Sequence, residues 1–233
     1  MAMIISNEEL VSGIYVMKIE GNYKGRMGQF YMLRSGRNYP LLPRPISIYD
    51  IGDGGITFLY RVVGEGTRQL SLLLPGQELQ LEGPFGNGFP QIEGSLALIG
   101  GGMGTAPLLL AAKHYQESHV YLGFAQQAFG VEAFEVVASS VQVKVGGSIV
   151  EQVDPAGYTT IFACGPTPML QALALKTACT SARLYISTER HMACGIGACL
   201  GCTMRTHAGN RRVCKEGPVF PVEEVQFDAL HGV

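Results

Sequence analysis

The chain has 233 residues, of which 47% are hydrophobic and 15% charged, and its formal net charge is -2. A chain of this length buries roughly 70 to 75% of its unfolded surface, so it needs no disulfides for stability, and its composition excludes wholesale disorder. The near-balanced charge, with no run of five Lys or Arg, argues against nucleic acid as a partner.

The opening MAMIISNEELVSG has no basic lead, and its apolar stretch stops at Asn7, Glu8 and Glu9. It is not a secretory signal, and a reducing cytoplasm is the expected compartment. From Gly13 to about Pro90 the chain runs as short apolar bursts punctuated by glycine: GIYVMKIEG, GQFYMLR, GGITFLYRVVG, GQELQLEGPFG. This predicts an all-β unit, an antiparallel sheet closed into a barrel or sandwich. Within it, RPISIYD begins with an Arg beside a fixed-φ Pro, a planar fork of donors suited to a pyrophosphate. Ser47 can offer a hydroxyl to a flavin edge. Strand alternation puts Pro45 and Ser47 on one face and Arg44 and Ile46 on the other. Gly66-Thr67 opens TRQLSLLL and reads as a helix start with Thr67 as cap, a natural phosphate site. Singly, each of these features is also ordinary for a strand or a capped helix.

The composition changes at Ser95. SLALIG, HVYLGFA, TIFACG and RLYIST are apolar runs of the type found in parallel strands covered on both faces, and APLLLAAKHYQ and PTPMLQALALKTAC have helical character. This is a βαβ series with a parallel sheet. The two long uncharged stretches, from Ser95 and from Tyr158, are split by Gly or Pro clusters, so they read as strand, loop and helix rather than as membrane spans. Glycines 100, 101, 102 and 104 in ALIGGGMGTAPLL would let a dinucleotide pyrophosphate approach the backbone. FACGPTPML places Cys164, Gly165 and Pro166 at a second strand end; a small buried residue is the plain alternative for Cys164. LGFAQQAFGVEAF holds no Arg or Lys to meet a 2′-phosphate, which favours NAD.

The last 45 residues hold four of the six cysteines and show little periodicity, as expected of a small unit organised around a bound centre rather than a core. Cys194, Cys199, Cys202 and Cys214 follow the spacing of a plant-type [2Fe-2S] loop with a distant fourth thiolate. Gly195, Gly197 and Gly201 leave room for backbone to approach the cluster. Structural zinc is the serious rival, although zinc ligands usually come as two separated pairs. Cys164 and Cys179 are not expected to be ligands.

The barrel motifs resemble the flavin-binding barrel of the ferredoxin-NADP reductase superfamily. The resemblance implies FAD across the barrel, with Arg44, Pro45, Ile46 and Ser47 and Leu59, Tyr60 and Arg61 along it and Gly66-Thr67 at the phosphates. The same resemblance places Cys164 near the hydride-transfer carbon, beside Gly101, Gly102 and Gly104. RPIS, YRVVGEGT, GGGMGTAP, CGPTPML and ERHMACGIGACLGC, in this order, resemble the family of dihydroorotate dehydrogenase B electron-transfer subunits over nearly the whole chain. The resemblance implies FAD, [2Fe-2S] and NAD as cofactors, an FMN-bearing dihydroorotate-oxidising catalytic subunit as partner, and a heterotetramer with two copies of each subunit. The units expected are a β-barrel FAD-binding domain at 1–94, an α/β NAD-binding domain at 95–188 and a [2Fe-2S] domain at 189–233. One departure is the shortened VQVKVGGSIVEQV, which keeps only Gly146-Gly147-Ser148 of a Gly-rich segment usual in the family. The alternatives are a related reductase subunit serving ferredoxin or sulfide, and a zinc-stabilised flavin or nucleotide sensor.

Overall fold

The computed structural model describes residues 2–36 and 39–230. Six strands form a closed barrel: β1 (Ala2–Val11), β2 (Ile14–Glu20), β3 (Phe30–Arg34), β4 (Arg44–Gly52), β5 (Gly55–Arg61) and β6 (Glu78–Phe85), in the spatial order β1-β2-β5-β4-β3-β6. The first strand occupies the segment read above only as a non-signal lead. Its Ala2 and Met3 pair with Leu79 and Glu78 of β6 and remove the last open edge. Alternating residues fill the interior, among them Ile4, Met17, Ile19, Tyr31, Leu33, Ile48, Ile56 and Phe58.

Helix α1 (Glu65–Ser71) plugs one end of the barrel with the fully buried Leu70. Asn7 Nδ2 donates to the carbonyls of Leu70 and Leu73, both at 2.9 Å, and its Oδ1 accepts from the Tyr60 hydroxyl at 2.9 Å. These bonds tie β1 to the last turn of the helix and to the turn after it, where the Leu70 carbonyl also accepts from the Leu73 amide at 3.2 Å. Thr67 is not the cap. The helix starts at Glu65 with Gly64 as N-cap, and Thr67 reaches back from the first turn to accept from the Val63 and Gly64 amides at 2.9 and 3.2 Å. Its hydroxyl is thus spent on the turn that leads into the helix.

The second sheet contains β7 (Leu96–Gly101), β8 (His119–Phe124), β9 (Ser140–Val145), β10 (Thr160–Cys164) and β11 (Arg183–Ser187), all parallel. Its outer strand β14 (Val219–Pro221) runs antiparallel to β11, giving the order β14-β11-β10-β7-β8-β9. One face carries Leu96, Leu98, Val120, Leu122 and Phe162 into a core shared with α2 (Leu109–His114), α3 (Val131–Glu135) and Leu59 of the barrel. Phe162 stacks on Phe89 at 4.4 Å between centroids, which welds the barrel side to the sheet. The turn after β7 does not enter an α-helix directly as expected. A 3-10 stretch covers Gly102–Leu108 first, because Pro107 has no N–H for an α-helical bond and Thr105 Oγ1 donates to the Gly102 carbonyl at 3.0 Å.

The opposite face carries Ala97, Ile99, Tyr121, Ile161, Ala163, Leu184 and Ile186 against α4 (Thr167–Thr177) and the C-terminal segment. That segment departs from expectation. It adds a hairpin, β12 (Thr203–Thr206) with β13 (Gly209–Arg212), as well as β14. Cys202, Met204, Val213, Cys214, Phe220 and Val225 join the same buried cluster as the sheet. The small unit therefore has a core, borrowed from its neighbour, and its aperiodic sequence hid this because each short element contributes only one or two apolar residues. Among the described residues no helix is long and apolar enough to cross a membrane.

Candidate functional site

The four cysteines of the C-terminal unit fall into two pairs. The Sγ atoms of Cys202 and Cys214 are 3.2 Å apart and buried, while the half-buried Cys194 and the exposed Cys199 are joined by a bond from the Cys199 amide to the Cys194 Sγ at 3.4 Å. Further amides point at sulfur: Gly201 N to Cys199 at 3.5 Å and Cys214 N to Cys202 at 3.4 Å. The Cys199 amide, helped by those of Ile196 and Ala198, draws the Cys194 thiol down to about 6. Burial, then the neighbouring Cys202, pushes Cys214 up to about 12. A thiolate there needs a compensating cation, and a metal centre would supply one.

The loop is held from both sides. On its inner side a Cβ at Gly195 would lie 3.0 Å from Met32 Cγ and 3.3 Å from Phe85 Cδ2, so the backbone rests directly on β3 and β6 of the barrel. A cavity of about 250 Å³ lined by Met32, Arg34, Gln80, Glu82 and Cys194 lies at this junction. On its other side Arg212 Nη1 donates to the Gly197 carbonyl at 3.1 Å, with Glu216 gripping the guanidinium, including Nε to Oε2 at 3.0 Å. Among the described residues no three His, Cys, Asp or Glu side chains are gathered as a single metal ion would need. Pairing in space of Cys194 with Cys199 and of Cys202 with Cys214 fits a centre of two irons with two thiolates on each.

On the barrel, Pro45 and Ser47 pair with Met32 and Phe30, which face outward to the sheet and the cysteine loop, whereas Arg44 and Ile46 pair with Leu33 and Tyr31, which face the interior. The alternation is as expected, and Arg44 reaches the α1 end of the barrel. It lies so close over Gly66 that a Cβ there would be 2.0 Å from its Nε. Its bonds to the described residues run through Nη1, to the carbonyls of Leu42 and Pro43 at 3.0 and 3.3 Å. The sequence motif places Leu59 and Tyr60 beside Arg61, but both side chains are buried in the two cores and only Arg61 is exposed.

At the carboxyl ends of the parallel strands lies an open cleft of about 1010 Å³, lined by Gly101, Gly102, Gly104, Gly165, Pro166 and Met169 from the β7 and β10 turns and by Arg61 from the barrel. This is where open α/β sheets take ligands. A Cβ at Gly104 would sit 2.2 Å from the Cys164 carbonyl, so the turn can close on β10 only with glycine there. Cys164 itself is buried, and burial raises its thiol far above its ordinary range; its side chain is absent from the cleft lining. Glu189 was not singled out from the sequence. It lines the mouth two residues past β11, where desolvation raises its carboxyl, Arg61 opposes that, and its exposure to water moderates both. Its place after a parallel strand was the available signal.

Residues 189–226 match the family model described as the iron-sulfur cluster binding domain of dihydroorotate dehydrogenase B. The chain is 42% identical to the dihydroorotate dehydrogenase B (NAD(+)) electron transfer subunit of Clostridium acetobutylicum, over 93% of each chain. It is 40% identical to the one from Caldanaerobacter subterraneus, over 97% of this chain and 98% of that one. In fold it is similar to a solved structure of an NADH-dependent reduced ferredoxin-NADP oxidoreductase, with a TM-score of 0.89 and 24% identity over 99% of this chain and 91% of that one. Barrel, sheet and cysteine unit are matched together and in one order, so the chain belongs to the family of dihydroorotate dehydrogenase B electron transfer subunits.

Proposed function

We propose that this chain carries electrons between a dihydroorotate-oxidising partner and NAD through a [2Fe-2S] cluster and FAD, in the cytoplasm and in pyrimidine biosynthesis. The names of its relatives support the reaction. The observation that carries the reading is contiguity: the cysteine loop rests on the outer wall of β3 and β6, and across the barrel Arg61 of β5 lines the cleft. A cluster at the loop, a flavin along the barrel and a nicotinamide in the cleft would be neighbours, with the units divided near residues 94 and 188.

In this reading Cys194 with Cys199 and Cys202 with Cys214 each hold one iron. Arg44 binds the flavin pyrophosphate, with Gly66-Thr67 at the phosphates, Pro45 and Ser47 along one edge of the ring system, and Ile46, Leu59 and Tyr60 shaping it through backbone. Gly101, Gly102 and Gly104 admit the dinucleotide pyrophosphate, while Gly165 and Pro166, backed by the buried Cys164, form the wall behind the nicotinamide. When bound, the nicotinamide exchanges hydride, the cluster single electrons and the flavin both, so the order of centres follows from their chemistry. Arg61 lies along the flavin and, with Glu189, lines the cleft mouth where the flavin and the nicotinamide would meet.

The partner we propose is an FMN-bearing catalytic subunit, two copies of each chain, docked over the exposed Ile196 and Leu200 beside Cys199. Leu200 is the non-glycine residue found with positive φ, 61°, among the described residues. A strained backbone that displays an apolar side chain beside a cluster ligand supports a docking role. The test is co-expression with the neighbouring dihydroorotate-oxidising subunit and assay of dihydroorotate-dependent NAD+ reduction. Activity is expected from the complex alone, and a fully flavin- and iron-loaded complex without it would overturn the reading.

A further inference from the structure

A dinucleotide that crosses the β7 turn with its reactive ring toward Gly165 and Pro166 directs its adenosine ribose to the ends of β8 and β9. This orientation rests on the function proposed above. There the cleft is lined by Gln126, Gln127, Gly147 and Ser148. The charged residues of the lining, Arg61 and Glu189, come from the barrel and from the end of β11, on the nicotinamide side. Gly146 and Gly147 both adopt left-handed conformations, φ 72° and 74°, and fold the chain back over Lys144. A Cβ on Gly147 would lie 3.2 Å from Lys144 Cε and 3.5 Å from its Nζ. An ammonium therefore sits just behind the lip of the adenosine end.

That ammonium is engaged. Lys144 Nζ lies 2.6 Å from Glu151 Oε2. Lys176, the other lysine near Glu151, donates instead to the main-chain carbonyls of Val150 and Glu151 at 3.1 and 3.4 Å. A ribose 2′-hydroxyl is satisfied by neutral amides such as those of Gln126 and Gln127. A 2′-phosphate brings about -1.5 to -2 charges and needs an uncompensated cation.

We propose that Glu151, by pairing with Lys144, makes the lip of the adenosine end neutral and sets the preference of this cleft for a dinucleotide without a 2′-phosphate. The effect does not require a strong ion pair, since exposed pairs contribute little. It comes from net charge: with the carboxylate removed, Lys144 is a free cation at the lip.

The test is calorimetric binding of ADP-ribose and of 2′-phospho-ADP-ribose to the flavin-loaded full-length chain, for the wild type, Glu151→Gln and Glu151→Gln/Lys144→Ala. Glu151 is largely exposed, with 70% of its side-chain surface accessible, so the substitutions leave the fold intact. The wild type is expected to prefer ADP-ribose. Glu151→Gln should reduce that preference about tenfold, and the double variant should restore it. Unchanged discrimination in Glu151→Gln, or relaxation that persists in the double variant, overturns the inference alone. A flavin-loaded wild type that binds neither ligand overturns the dinucleotide reading and this inference with it.

Discussion

Arg212 shows how a residue with no motif of its own can govern a site. It lies at the end of a hairpin strand, yet its guanidinium donates to the Gly197 carbonyl while Glu216 holds it in place. A hydrogen bond from a charged donor is stronger than a neutral one, and its contribution here is modest because both side chains are partly exposed. Arg212→Met is expected to bleach the visible absorption of the cluster about three- to tenfold faster under a chelator, and an unchanged rate would count against the clamp. The cysteines were legible because ligand spacing is a local property of the chain. Arg212, Glu189 and Met169 were not, since each acts across contacts made by the fold. Thr67 was misread as a cap for a related reason: its hydroxyl bonds backward into the turn, and the spacing of a Thr before an apolar run does not distinguish the two.

Among the elements, the barrel and the parallel strands were readable from glycine punctuation and from uninterrupted apolar runs, because burial on one face or on two leaves different patterns. β1 was passed over because its outer face carries exposed apolar residues, Met3, Ile5 and Leu10, so alternation is blurred. The strand still has a task beyond closure, since Asn7 holds the carbonyl end of α1 against the barrel. Asn7→Ala removes one bond to Leu70 of α1 and one to Leu73 just after it, and leaves the Tyr60 hydroxyl without its partner. It is expected to destabilise the chain by about 1 to 3 kcal/mol in urea unfolding and to weaken FAD retention, because the proposed phosphate contacts of Gly66 and Thr67 ride on the same helix. Full stability in this variant would show that the helix is held by Leu70 packing alone.

On the scale of the whole molecule, the three units are one packed body rather than beads. The cysteine unit shares the sheet's core and lends it β14, and the Phe89–Phe162 stack and the 2.6 Å Lys113–Asp50 pair tie the sheet to the barrel side. This arrangement was not legible from composition, which separates the units by their local patterns and carries no record of the surfaces they share. The cysteine loop exposes Ile196 and Leu200 at the docking surface proposed above, and Ile196→Glu with Leu200→Glu is expected to weaken assembly with the catalytic subunit more than tenfold, with cluster absorption unaltered. Loss of the cluster in that variant would instead mark these residues as structural. In the function proposed, one chain joins a nicotinamide cleft to an iron-sulfur centre through a flavin. The most direct measurement is an anaerobic titration of the purified full-length chain with NADH, followed by visible absorption and electron paramagnetic resonance. Bleaching of the flavin together with the appearance of a reduced [2Fe-2S] signal is the expected result, and a chain with full iron and flavin content that NADH leaves oxidised at both centres would contradict the account.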